Sequence, residues 1–145
     1  MTIFVVNGPN LNLLSEREPE VYGHDNYQSL VNTLKKYAKE KNITIIIKQS
    51  NHEGEIIDLL QKYRKKIDGI VINPGAFTHY SYAIYDCLKG ISIPAVEVHL
   101  SNIESREEFR KISVIKPACI GQIKGKGIAG YREAIDLLLE RKAKK

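Results

Sequence analysis

Residues 3 to 23 read IFVVNGPNLNLLSEREPEVYG. The apolar, largely β-branched start, Ile3 to Val6, predicts a buried strand, and the polar stretch after it predicts a loop at that strand's carboxyl end. The loop contains neither a Gly-x-Gly-x-x-Gly run nor a Gly-Lys-Ser/Thr end, so it lacks the phosphate cradle of the common nucleotide-binding loops. It places Asn7, Asn10, Asn12, Arg17 and Tyr22 where an α/β protein usually binds its ligand. Amides, a guanidinium and a phenol suit a polar substrate.

Outward from this stretch the same pattern recurs. Apolar runs at Ile43 to Ile47, Gly69 to Ile72, Ala95 to Val98 and Ala118 to Ile120 predict further strands. Helical patterns fill the intervals, at roughly 26 to 41, 53 to 65, 79 to 89, 104 to 112 and 129 to 142. Leu30, Leu34, Tyr37 and Ala38 form one apolar stripe, and Ile135, Leu138 and Leu139 form another. Ser50-x-x-Glu53 and Ser101-x-x-Glu104 each match a capping box, predicting that the chain turns into a helix after the second and fourth strands. Strands joined by helical crossovers imply a parallel sheet covered on both faces. The expected architecture is an α/β, flavodoxin-like three-layer sandwich, with a five-stranded parallel sheet in the order 2-1-3-4-5. Residues 1–145 read as one domain, without repeats or linkers.

Composition narrows the classes. The net charge of +5 raises the possibility of nucleic-acid binding. The lysines, however, collect at 35 to 48, 62 to 66 and 141 to 145, on outer helix faces and a tail, with no recognition element beside them. A solvated surface is the expectation, and its charge would still draw in a small anion. Cys87 and Cys119 lie in apolar surroundings and read as core thiols rather than a bridge. No signal-like segment and no apolar stretch of membrane-spanning length is seen, so a cytoplasmic protein is expected.

In an open parallel sheet, ligands bind beyond the carboxyl ends of the strands. Asn7 and Asn10 follow the first strand, Gln49 to His52 the second, Asn73, Pro74 and Gly75 the third, and Glu97, His99 and Ser101 the fourth. Each has an ordinary turn role available to it, but together they describe one cleft. In strand four, Glu97 and His99 share the face opposite Val96 and Val98. They are either a structural ion pair or, as we prefer, an acid or base oriented by a carboxylate. His79, His99, Glu97 and Asp86 are suitable metal ligands but lack a committing spacing, so no metal is expected. Backbone N–H groups at Leu100 and Ser101, with Arg106 and Arg110 nearby, form either an anion clamp or an unremarkable surface. In the first loop, a phenol with a pKa of about 10 is only some 0.3% ionised near pH 7.5. Arg17 would favour the tyrosinate form of Tyr22, unless both merely decorate a surface loop.

These segments resemble type II 3-dehydroquinate dehydratase, the flavodoxin-like enzyme family of the shikimate pathway. The resemblance runs through FVVNGPNLNLL with REPEVYG, QSNHEGEIID, INPGAFTHYSYAIYD, VEVHLSNIESREEFR, and the turn from Gly125 to Tyr131. It implies dehydration of 3-dehydroquinate to 3-dehydroshikimate through an enolate, with no metal, nucleotide or other cofactor. Tyr22 then matches the base and His99 the acid, with Glu97 supporting the polar network. Asn10 matches the stabiliser of the developing charge, and Arg17 the residue that activates tyrosine and closes the site. Asn73, His79 and Asp86 match substrate-binding positions; the backbone of Leu100 and Ser101 would hold the substrate carboxylate. Arg110 matches the family's binding arginine, in preference to Arg106. The family also implies a homododecamer built from trimers, with Asp86 near a subunit boundary. Two positions depart from the usual pattern: Ser15 stands where glycine is frequent and Glu104 where many members have histidine. The alternatives to a lyase are a non-catalytic flavodoxin-like module that binds a flavin or other phosphate-bearing ligand and a basic nucleic-acid-binding module.

Overall fold

The computed structural model describes residues 1–14, 16 and 25–144. Its sheet contains β1 (Thr2–Asn7), β2 (Thr44–Gln49), β3 (Gly69–Asn73), β4 (Ala95–His99) and β5 (Gly121–Lys124), all paired in parallel in the order β2-β1-β3-β4-β5. The helices are α1 (Tyr27–Glu40), α2 (Glu53–Tyr63), α3 (Tyr82–Ile91) and α4 (Ala129–Ala143).

Alternation along the strands sends apolar side chains to both faces and creates two cores. Ile3, Val5, Val71, Val96 and Val98 pack with Leu30 and Leu34 of α1 and Tyr131, Ile135 and Leu138 of α4. Phe4, Val6, Ile70 and Ile72 pack on the other side, with Ile56 and Leu60 of α2 and Ile84 and Leu88 of α3. Every residue of β3 and β4 is buried, whereas the edge strand β2 is partly exposed. This is the expected flavodoxin-like three-layer arrangement. The two stripes pack as expected, although Tyr37 and Leu139 are only partly buried. Cys87 and Cys119 are free thiols beside the second core.

Three local expectations are corrected. The helix expected over 104 to 112 is replaced by 3-10 turns at Ile103–Ser105 and Glu108–Lys111. Its would-be apolar face is not packed into either core: Phe109 and Ile112 are largely exposed among the described residues. Short polar side chains also compete for the backbone: Asn102 accepts the Glu104 N–H, and the Ser105 hydroxyl donates to the Asn102 carbonyl. The fifth strand is Gly121–Lys124, wholly beyond the expected Ala118 to Ile120, because Pro117 sits in a further 3-10 turn, Lys116–Ala118, that delays it.

Neither Ser50 nor Ser101 forms its capping box. His52 is the N-cap of α2; Ser50 accepts the His52 N–H, and the Glu53 carboxylate instead accepts a 2.5 Å bond from Ser81, the N-cap of α3. After β4, the capping residue is Asn102, while Glu104 pairs with Lys124. The capping box that does form is Asn26 with Ser29, at the start of α1.

Candidate active site

The order of the sheet puts β1 beside β3, with their connections leaving to opposite faces, which is the place where open α/β sheets form a ligand crevice. Asn7, Asn73 and His99 end the three adjoining strands β1, β3 and β4. A pocket of about 500 Å³, counting its open mouth, lies over these ends. Asn10, Asn73, His79, His99, Leu100 and Arg110 are among its walls, and Arg106 adds a second guanidinium side chain.

The wall from the first loop is held by β2. Asn10 has φ 71°, a left-handed conformation that asparagine accepts more readily than most side chains. Its N–H donates to Asn51 Oδ1 at 3.0 Å, and Gln49 Nε2 reaches the same oxygen at 3.1 Å and the Gly8 carbonyl at 3.1 Å. Asn12 lies outside the pocket lining, its Oδ1 accepting from Gln49 at 3.3 Å.

The floor is a buried chain of polar bonds. Gly75 N–H donates to Asn73 Oδ1 at 3.1 Å, Asn73 Nδ2 donates to the Tyr131 hydroxyl at 2.9 Å, and that hydroxyl donates to Asn7 Oδ1 at 2.6 Å. Tyr131 is wholly buried, so its phenol is pushed far up by desolvation and stays a neutral donor.

The fourth strand supplies the charged centre. Glu97 is 0% exposed and His99 5%, and His99 Nε2 lies 2.5 Å from Glu97 Oε2. Thr78 also donates to Oε2, and Ser113 donates to Oε1 at 2.8 Å. Burial by itself would raise the Glu97 carboxyl, but the bonds and charge of His99, with the Thr78 and Ser113 hydroxyls, outweigh it and hold Glu97 below its ordinary range. An anionic Glu97 assigns the shared proton to His99 Nε2, leaving Nδ1 as the other exchangeable position on the ring.

His79 contributes a neutral imidazole. Burial lowers its pKa, and His99 and Arg110 add to that effect, against a 2.8 Å bond to the Ile112 carbonyl. That carbonyl fixes the proton on Nδ1, so Nε2 retains its lone pair. Arg110 lies over the Phe109 ring and bonds Glu107 at 2.5 Å through Nε.

The family model for class II dehydroquinase matches residues 1–139. A 3-dehydroquinate dehydratase of Caldicellulosiruptor saccharolyticus is 58% identical over 139 residues, covering 95% of this chain and 96% of that protein. The crystal structure of type II dehydroquinase from Butyrivibrio crossotus superposes with a TM-score of 0.94 at 57% identity, covering 96% of this chain and 97% of that one. That from Propionibacterium acnes gives 0.90 at 38% identity, over 94% of each chain. The chain belongs to the class II dehydroquinase family.

Within this family member, Asn10, Asn73, His79, His99, Leu100 and Arg110 meet around one pocket, with Glu97 directly behind His99. Ser101 follows Leu100 but is not part of that lining. Asp86 is not brought to it: this exposed carboxylate of α3 borders a separate hollow with Gln61 and Arg64 of the α2 side. Arg17, Tyr22 and Ser15 lie outside the described residues. Thr78, Ser113 and Tyr131 were not foreseen as site supports. Thr78 had one signal, its place beside His79; Ser113 had none, since it reaches Glu97 only through tertiary folding. Among the described residues, no group of His, Cys, Asp and Glu side chains is arranged to hold a metal ion, and no helix is long and apolar enough to cross a membrane.

Proposed function

We propose that residues 1–145 form one catalytic domain that dehydrates 3-dehydroquinate to 3-dehydroshikimate, using neither metal nor organic cofactor. The observation that carries this reading is the His99–Glu97 pair, 2.5 Å apart, at the edge of a pocket lined by amides, imidazole and guanidinium. Tyr22 removes the proton beside the ketone, assisted by Arg17, and gives an enolate; Asn10 stabilises its charge. His99 then protonates the departing hydroxyl and Glu97 keeps the ring oriented, so that proton removal and hydroxyl loss fall to different residues. Asn73, His79 and Arg110 bind the ring hydroxyls, and the Leu100 and Ser101 backbone receives the carboxylate.

The substrate comes from the names of the relatives; the polar walls and the pair of arginines support an anionic, hydroxylated ring. The protein would act in the cytoplasm in aromatic biosynthesis, as a homododecamer of four trimers in which Asp86 reaches a neighbouring site. The position of Asp86 on a face away from its own pocket supports that division. Sedimentation should then give a species of twelve chains, and a fully active monomer would overturn the assembly.

The activity is tested by following formation of the conjugated enone from 3-dehydroquinate. Folded protein should turn over the substrate, Tyr22→Phe should remove most of kcat, and His99→Ala should stall loss of the hydroxyl. Absence of turnover by folded wild-type protein would sink the reading.

A further inference from the structure

Glu97 is a carboxylate with no access to water, and the groups bonded to it all donate. The protons can be assigned one by one. Ser113 accepts the Lys116 N–H at 3.0 Å and gives its only proton to Glu97 Oε1, at 2.8 Å; Oε2 lies 3.0 Å from the same hydroxyl. Thr78 gives its only proton to Oε2. The 2.9 Å approach of the Thr78 and Ser113 oxygens is then held by the carboxylate they share.

These hydroxyls come from different parts of the chain. Thr78 lies in the Gly75–His79 turn and Ser113 in the segment after Glu108–Lys111. The Val114 N–H bond to the Thr78 carbonyl, 2.7 Å, joins those two segments, and His79 bonds Ile112 within the same join. One carboxylate thus ties both segments to β4, directly behind His99.

We propose that Thr78 and Ser113 are positioning residues of the reaction, a pair of hydroxyl clamps that orient Glu97 and set how tightly the Glu97–His99 pair holds its proton. This rests on the role given to His99 above. Each hydroxyl disperses negative charge on Glu97. Removing one concentrates that charge, so the pair holds its proton to higher pH and His99 becomes a weaker acid. Among the described residues, the charged or titratable groups around the pair are His79 and Arg110 across the pocket, Arg106 at its wall, Cys119 towards Glu97, and Lys124, opposite His99 in β5 and paired with Glu104. Substitution at Thr78 or Ser113 changes none of these charges.

The test compares Thr78→Val and Ser113→Ala, which remove a hydroxyl, with Thr78→Ser and Ser113→Thr, which keep one. The ring signals of His99 are titrated by NMR in the free protein, and kcat and KM for 3-dehydroquinate are measured beside them. Thr78→Val and Ser113→Ala should raise the His99 midpoint and lower kcat by about 10- to 100-fold, the range of lost supporting bonds at other reactive centres. KM should stay within about twofold, as expected for loss of an interaction made in the transition state. Thr78→Ser and Ser113→Thr should restore both quantities. An unchanged midpoint in folded Ser113→Ala would overturn the proposal, as would hydroxyl-keeping variants no better than hydroxyl-free ones. The NMR titration reads the clamp even if 3-dehydroquinate is not the substrate, so the two proposals fail separately.

Discussion

Asn73 Nδ2 donates to the hydroxyl of Tyr131 at 2.9 Å, joining the carboxyl end of β3 to the first turn of α4 beneath the pocket. The same hydroxyl donates to Asn7 at the end of β1. Tyr131→Phe preserves the ring and its packing but leaves a buried donor on Asn73 and a buried acceptor on Asn7. With about 1–3 kcal/mol for each of the two unsatisfied groups, the variant should lose roughly 2–6 kcal/mol of stability, read as a lower urea midpoint. Substrate affinity should also fall, because nothing else on the Tyr131 side fixes the Asn73 amide. A midpoint within error of wild type would show that the chain of bonds contributes nothing net.

Glu97 gives stability a definite dependence on acid. Its folded carboxyl lies below the ordinary value of 4.5 despite its burial. That contribution is fully present above 4.5 and is lost as the pH falls through the lower folded value. Glu97→Gln should flatten the fall of stability below about pH 4.5, as followed by denaturation at successive pH values. It should also reduce turnover by at least about 100-fold, since the amide presents a donor to a ring of donors. An unaltered acid profile would remove Glu97 from the list of groups that set it.

How far this site was legible depends on which interactions are local. Val96, Glu97, Val98 and His99 announce the face of the strand on which the pair lies, because side chains alternate with a period of 2. The strand-end asparagines Asn7 and Asn73 were legible as a set for the same reason, once the runs were ordered as a parallel sheet. The crossover from β4 to β5 was not. Its spacing suggested a helix, but a helix needs a surface on which to bury its stripe, and among the described residues Phe109 and Ile112 stay largely exposed. Ser50 and Ser101 matched a capping pattern that Ser81 and Asn102 pre-empted through bonds to Glu53 and Glu104. Ser113 is a lone serine 16 residues from Glu97, and no spacing rule connects them.

At high pH the protein should weaken through partly buried groups whose surroundings keep them neutral. Desolvation, with the charge of Glu97 adding to it, pushes the Cys119 thiol from 9.0 up to about 12. Desolvation, aided by the 2.5 Å bond to Asp136, takes the Tyr37 phenol from 10.0 to about 12. Stability from these groups is complete below their ordinary values and is lost as the pH rises through about 12. Cys119→Ala should make the decline between 9 and about 12 shallower, and thiol reagents should label native Cys119 slowly until the chain unfolds. Rapid native labelling would contradict that burial.

Gly8 is required by closeness rather than by an unusual backbone angle. A Cβ built there would lie 2.5 Å from the Pro74 carbonyl oxygen and 3.2 Å from that of Asn73, both parts of the main chain that turns out of β3. The Gly8 N–H also donates to the Asn73 carbonyl at 2.7 Å, so the two segments cannot separate without losing a bond at the edge of the pocket. Gly8→Ala should therefore cost at least the roughly 1–3 kcal/mol typical of overpacking and should raise KM, because relief of the clash moves Asn73 and Gly75. Gly54→Ala is the control: its Cβ meets nothing within 4 Å, and it lies in the first turn of α2, where alanine is the better helix former. Equal loss of stability in the two variants would show that the approach of Gly8 to Pro74 does not govern this end of the sheet.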